Sequence, residues 1–102
     1  WNDLVKRGLR ASKPVYFAQV QLYMGYLELE TALVTALNKD TEALHHEVVG
    51  FDPPCAQALS DKAVDILRAA EAGELPPRIA AAWDFYLCRM CAYAERCWEG
   101  ER

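Results

Sequence analysis

Cys88, Cys91 and Cys97, three of the chain's four cysteines, stand within ten residues of one another in the stretch WDFYLCRMCAYAERCW. A C-x2-C pair can wrap one turn of backbone around a single metal ion, and a third thiolate arriving shortly afterwards supplies most of a soft coordination shell. One regular helix could not deliver all three. Cys88 and Cys91 would share a face, whereas at about 100° per residue Cys97 would stand about 120° away from Cys91. Convergence on one centre therefore requires the backbone to leave the helix between Cys91 and Cys97. The competing roles are plain burial, because free cysteine packs as a small apolar side chain, and disulfide formation. The polar neighbours Arg89, Glu95 and Arg96 argue against the first, and the very short loop between Cys88 and Cys91 argues against the second. The spacing favours metal ligation.

A second group of residues lies on a helix expected from Pro14 to about Glu30. Gln19, Tyr23, Tyr26 and Glu30 recur along one side of it, polar and aromatic together. Such a side suits a boundary between core and water, or a wall that faces a substrate. Val20, Met24 and Leu27, joined by Phe17 and Ala32, form the apolar stripe. His45 and His46 are adjacent on an expected strand, so they point to opposite faces and cannot both serve one ion without a bulge. They are expected as solvent-exposed strand positions. Cys55 continues the apolar stripe of the following helix and is expected in the core rather than as a fourth ligand.

The elements that must position these groups follow from local signals. Residues 1–13 carry Lys6, Arg7, Arg10 and Lys13 against the single acid Asp3, and read as a solvated basic lead-in with a short helical turn ending near Gly8 or Ser12. Ala32–Leu37 and Leu44–Phe51 are rich in strand formers, and Asn38 to Glu42 between them has the composition of a hairpin turn. Asp52 as N-cap, Pro53 at the first position and Gly73 as the stop define a helix whose buried stripe is expected to be Leu59, Ala63, Ile66 and Ala70. The sequence ELPPR at 74–78 reads as a stiff linker delivering the cysteine segment as a separate arm. The expected fold class is α/β in the broad sense, of the α+β kind: helix, β-hairpin, helix and a cysteine-bearing arm.

At 102 residues, 53% hydrophobic and 25% charged, the chain is expected to be one globular domain with a modest core. A net charge of −4 leaves no overall electrostatic footprint for nucleic acid, so any DNA contact is expected to come from a local patch or from protein absent from this chain. No apolar run reaches membrane-spanning length and no signal-peptide pattern is present, giving a cytoplasmic expectation without a membrane partner. The chain opens on Trp1 with a polar, basic stretch, which reads as a piece of something longer or as numbering from the first residue seen.

The order of a Q-x3-Y helix (Gln19 to Tyr23), hairpin, helix, proline linker and C-x2-C-x5-C resembles the C-terminal part of RecB-like nucleases of the PD-(D/E)xK superfamily. It is most similar to phage-encoded exonucleases like the CRISPR-associated ones that carry an iron–sulfur cluster. The likeness runs through KPVYFAQVQLYMGYL, LVTALNKDTEALHHEVVGFDP and WDFYLCRMCAYAERCW, and so covers nearly the whole chain. It implies a restriction-endonuclease-like fold in which residues 1–75 are a partial nuclease core and 76–102 the cysteine arm. It also implies one or two Mg²⁺ or Mn²⁺ ions that activate water against a DNA phosphodiester, held by carboxylates beside a lysine. In the family those groups precede the Q-x3-Y helix; this chain has no E-x-K and offers no catalytic residue of that set. Gln19 and Tyr23 carry over as active-site-lining and DNA-binding residues. Cys88, Cys91 and Cys97 carry over as ligands of a 4Fe–4S cluster, with zinc as the alternative. Such a cluster takes four thiolates, and the family's first cysteine lies upstream, so three ligands remain. The resemblance thus implies DNA as a partner, with the missing N-terminal nuclease part or a second chain. The other reading is a non-catalytic, nuclease-derived module that binds DNA or protein, and a third is a small zinc-stabilised domain.

Overall fold

The computed structural model describes residues 1–100. Among them the chain is mixed α+β, with helices α1 (Asn2–Ser12), α2 (Pro14–Leu27), α3 (Pro53–Ala72), α4 (Tyr86–Arg89) and α5 (Ala94–Cys97) and a two-stranded antiparallel sheet of β1 (Thr31–Leu37) and β2 (Leu44–Gly50). It divides into two compact units, Trp1–Ala63 and the part from Val64 onward, with α3 running through the boundary. None of the described helices is long and apolar enough to cross a membrane.

The first unit is built on the hairpin. Its register pairs Thr31 with Gly50, Leu33 with Val48, Thr35 with His46 and Leu37 with Leu44. Asn38 fixes the turn: its Oδ1 accepts the N–H groups of Asp40 and Thr41 at 3.0 and 3.3 Å, and its N–H reaches the Ala43 carbonyl at 2.8 Å. Strand alternation then turns Ala32, Val34, Ala36 and Val49 to one face, where they pack with Leu4, Leu9, Phe17, Val20, Met24 and Phe51. The opposite face carries Leu33, Leu37, Leu44 and Val48, all exposed.

The helices α1 and α2 cover the inner face, and α1 does so with a break. Gly8 sits at φ 80° and ψ 171°, a conformation that side chains with a Cβ rarely adopt. The expected short turn ending near Gly8 or Ser12 is therefore two helical pieces, joined at Gly8 so that both Leu4 and Leu9 reach the core. Pro14 opens α2 as expected, and Glu28, in the left-handed region at φ 56°, closes it ahead of Glu30 by returning its N–H to the Met24 carbonyl.

Two expected stripes are rotated or uncovered. On α2 the inward residues are Phe17, Val20, Gln21 and Met24; Gln21 takes the place beside Met24, and Leu27 is 66% exposed. On α3 the caps match the sequence, since Asp52 Oδ1 accepts the Cys55 N–H at 3.1 Å and Gly73 follows at φ 70°. None of its residues is buried, however: Leu59 and Cys55 are half-buried, and Ala63, Ile66 and Ala70 are exposed. Periodicity tells which side of a helix would prefer burial, but a covering surface must exist for the preference to be met.

Beyond α3 the second unit is irregular from Gly73 to Phe85, and its helices α4 and α5 are one turn each. The buried side chains there are Cys88, Ala94 and Trp98. This small core is built from the cysteine segment itself.

Candidate functional site

Gln19 and Tyr23 sit one turn apart on α2, both exposed, with the Gln19 Nε2 donating to the Tyr23 Oη at 2.7 Å. Tyr16, Tyr23 and Tyr26 are likewise exposed on this helix. The pair is thus a solvent-facing amide and phenol whose relative geometry is already set. The phenol can still donate to an incoming acceptor, and the amide oxygen is open to a donor.

Two residues away, Gln21 behaves in the opposite way. It is fully buried, and its side chain spans from α2 to the end of the sheet: Nε2 donates to the Gly50 carbonyl at 2.9 Å, and Oε1 accepts the Asp52 N–H at 2.8 Å. A buried amide with both ends satisfied is a clasp between α2, β2 and the start of α3. It fixes the helix that presents Gln19 and Tyr23. Sequence reasoning passed over it, although its position four residues after Phe17 and three before Met24 places it on their face.

A third group centres on Glu47. Both of its carboxylate oxygens lie 3.0 Å from the Leu9 N–H, at the start of the helical piece that follows Gly8. A carboxylate there satisfies an orphan donor and favours the positive end of the turn. A Cβ at Gly8 would meet Glu47 Oε2 only at ordinary contact, 3.4 Å, so the positive φ rather than lack of space favours glycine there. His45 Nε2 stands 3.4 Å from Glu47 Oε1, and the Trp1 ring meets the His45 ring edge-on with centroids 6.4 Å apart. His45 was expected in solvent; its side chain is only 19% exposed, because alternation puts it on the same face as Val49. His46 does face outward, where its Nδ1 is 3.0 Å from Thr35 Oγ1.

The basic segment is partly spoken for. Arg7 pairs with Asp3 at 3.1 Å, and Arg10 pairs with Asp52 at 3.2 Å while its guanidinium lies 4.8 Å from the centre of the Phe17 ring. Lys6 and Lys13 are exposed. The local positive surface available to a polyanion is therefore narrower than four basic residues suggested.

In the second unit, the backbone leaves the helix after Arg89 and re-forms one turn at Ala94, so Cys88 and Cys97 lie on different short helices with Cys91 between them. Cys88 is buried, Cys97 half-buried and Cys91 exposed, and all three line one largely apolar cavity of about 440 Å³. Cys91 Sγ accepts the Tyr93 N–H at 3.4 Å. Cys55 belongs to the first unit. Three thiols on one cavity suit a soft metal ion by donor type. Their positions do not form a shell: among the described residues no group of three or more His, Cys, Asp or Glu side chains is gathered closely enough to hold an ion.

No protein-family model, curated protein or solved structure matches the chain.

Proposed function

We propose that this chain is the DNA-facing C-terminal portion of a metal-dependent DNA exonuclease with a restriction-endonuclease-like fold, of the RecB-like kind that its motifs resemble. The observation that carries the reading is the contrast on α2. Gln21 is buried and consumed in two hydrogen bonds, whereas Gln19 and Tyr23 are paired to each other and turned to solvent. A helix anchored by one glutamine and displaying another beside a tyrosine is what a wall of a binding cleft requires.

On this reading Gln19 and Tyr23 bind DNA or orient a catalytic lysine, while the carboxylates that hold Mg²⁺ or Mn²⁺ come from protein preceding the α2 helix or from a second chain. The exposed leucines and valine on the outer face of the hairpin support such a neighbour. Cys88, Cys91 and Cys97 would hold the iron–sulfur cluster or zinc, and that group when bound supplies structural cross-linking of the arm. A fourth donor must join them.

The test is to express the protein with any coding sequence that precedes Trp1, load it with metal anaerobically and assay labelled linear DNA with Mg²⁺ or Mn²⁺. Degradation from the ends that is lost in Tyr23→Ala and Gln19→Ala supports the reading. A folded, metal-loaded protein that neither binds nor shortens DNA rejects it. Binding without cleavage would instead identify a non-catalytic nuclease-derived module.

A further inference from the structure

Gly25 stands in α2 although neither backbone nor space calls for a glycine there. Inside a helix glycine lowers the folding equilibrium about two- to fivefold relative to alanine. Its φ is not among the positive ones. A Cβ at this position would stand 3.6 Å from Phe51 Cε1, 3.7 Å from Phe51 Cζ and 3.9 Å from the Ala56 Cβ, all ordinary contacts. What a side chain would take up is open room. Gly25 borders a mostly apolar cavity of about 270 Å³ between α2 and the first turns of α3, with Tyr26, Phe51, Ala56, Gln57 and Ser60 among its walls. The buried Gln21 clasp ties α2 to Gly50 and Asp52, just ahead of α3, and so fixes the two walls against each other. A residue that breaks the local helix preference beside a preformed cavity marks that cavity as used.

We propose that this cavity receives one unstacked nucleobase of a DNA strand lying along the Gln19–Tyr23 side of α2. The inference rests on the reading of that side as the DNA-facing one. The cavity is smaller than the roughly 300 Å³ at which pockets for drug-sized molecules begin, and so suits a single planar ring system. Tyr26 and Phe51 offer rings against which a base of any sequence can lie. Gln57 Nε2 gives one N–H to Asp61 Oδ1 at 2.9 Å, which leaves its second N–H and its Oε1 for the edge of a base, with the Ser60 hydroxyl on the same wall. An aliphatic side chain from a protein partner would cover those polar groups without pairing them. Tyr26 follows Gln19 by seven residues and Tyr23 by three, so it belongs both to their side of α2 and to the cavity. Charge sets the direction of approach. Helix α2 has no charged residue, whereas Asp52 and Asp61 flank the α3 wall, Asp52 being offset by Arg10 at 3.2 Å. A phosphodiester backbone therefore runs over α2 and the base turns toward α3.

The experiment uses the full chain and a labelled single-stranded thymidine oligonucleotide of about eight residues, beside an abasic oligonucleotide of the same length, with affinity read by fluorescence anisotropy. The parent should bind the first at least about fivefold more tightly than the second, the factor expected for one stacked base. That advantage should vanish in Ala56→Leu, which fills the cavity, and shrink in Gly25→Ala. Gly25→Ala should also raise the urea midpoint, so weaker binding by that variant cannot come from a damaged fold. Gln19→Ala should weaken both oligonucleotides alike. A parent that binds the two equally, or cavity variants that keep its base preference, would overturn the proposal and leave the reading of Gln19 and Tyr23 standing. A base preference that both cavity variants abolish, with binding untouched in Gln19→Ala and Tyr23→Ala, supports the cavity and sinks that reading. A parent that binds neither oligonucleotide overturns both. Two-dimensional amide spectra test the other occupant: shifts at Gly25 and Ser60 with N-acetyl-phenylalanine amide and none with thymidine would assign the cavity to a protein side chain and overturn the proposal.

Discussion

Replacing Gln21 by leucine tests the division of labour on α2. The substitution keeps the volume roughly constant and removes two hydrogen bonds, to the Gly50 carbonyl at 2.9 Å and from the Asp52 N–H at 2.8 Å. A hydrogen bond contributes about 1 kcal/mol net, and orphaning a fully buried partner costs about 1–3 kcal/mol. Here Gly50 is exposed and Asp52 half-buried, so water recovers part of the loss and the lower end of that range applies to each. The expected cost is about 2 kcal/mol, or a fall of roughly 10 °C in Tm for a domain of this size. Gln19→Leu is the control: its side chain is exposed and bonded only to Tyr23 Oη, so it should stay within about 0.5 kcal/mol of the parent. Thermal and urea unfolding followed by far-UV circular dichroism measures both. Fluorescence anisotropy with labelled DNA should show the opposite ranking, with Gln19→Leu the weaker binder among the folded proteins. If Gln21→Leu is as stable as the parent, or if the two variants lose equal stability, Gln21 is not the clasp and the functional reading of Gln19 loses its contrast.

Gly8→Ala should destabilise the first unit by about 2 kcal/mol, because φ 80° with ψ 171° is a glycine conformation; the shift in urea midpoint reads it. Glu47→Ala removes the carboxylate that caps Leu9 and should cost about 1 kcal/mol, with faster amide exchange at Leu9 itself as the local signature. Tyr23→Phe breaks the 2.7 Å bond to Gln19 at an exposed site and should leave the urea midpoint unchanged within about 0.5 kcal/mol while weakening DNA binding; a stability loss above about 1 kcal/mol would mark the pair as structural.

Where a local rule decides the conformation, the residues announced it. Asp52, Pro53 and Gly73 bracket α3 because each acts through its own backbone, and the hairpin follows from alternating strand formers around Asn38. The cysteine segment departs from helix earlier than expected, after Arg89 and so ahead of Cys91, instead of between Cys91 and Cys97. The failures have a common cause in tertiary context. Gln21 looked like one more polar residue, and only its spacing from Phe17 and Met24 tells that it points inward, where the main-chain groups of Gly50 and Asp52 await it. His45 looked solvated because histidine usually is, yet it shares a strand face with Val49 and is enclosed with Glu47 and Trp1. The helical piece after the kink at Gly8 is capped by a carboxylate 39 residues after that glycine, which no local pattern could reveal. Arg78 is similar: its partners, Cys97 and Trp98, lie 19 and 20 positions onward.

The distribution of apolar surface in the first unit bears on what the chain works with. A helix that covers a sheet on one side usually presents polar residues on the other. On α2 the opposite side instead shows Val15 and Tyr26, each 77% exposed, with Tyr16, Tyr23 and Leu27 beside them. The outer face of the hairpin repeats the arrangement with the cross-strand pairs Leu33 with Val48 and Leu37 with Leu44. The outer faces of α2 and of the hairpin therefore both carry exposed apolar residues. The two faces differ in kind, and the difference matters. On the hairpin the residues are aliphatic around a Thr35–His46 contact, a surface that another sheet or helix would cover. On α2 three phenols and an amide interrupt the aliphatic residues, and rings of this type can lie against bases or against protein while their hydroxyls stay in water. A single partner surface could not complement both. Under the proposed function, the strand side is where the protein neighbour would sit and the tyrosine side is where DNA would lie.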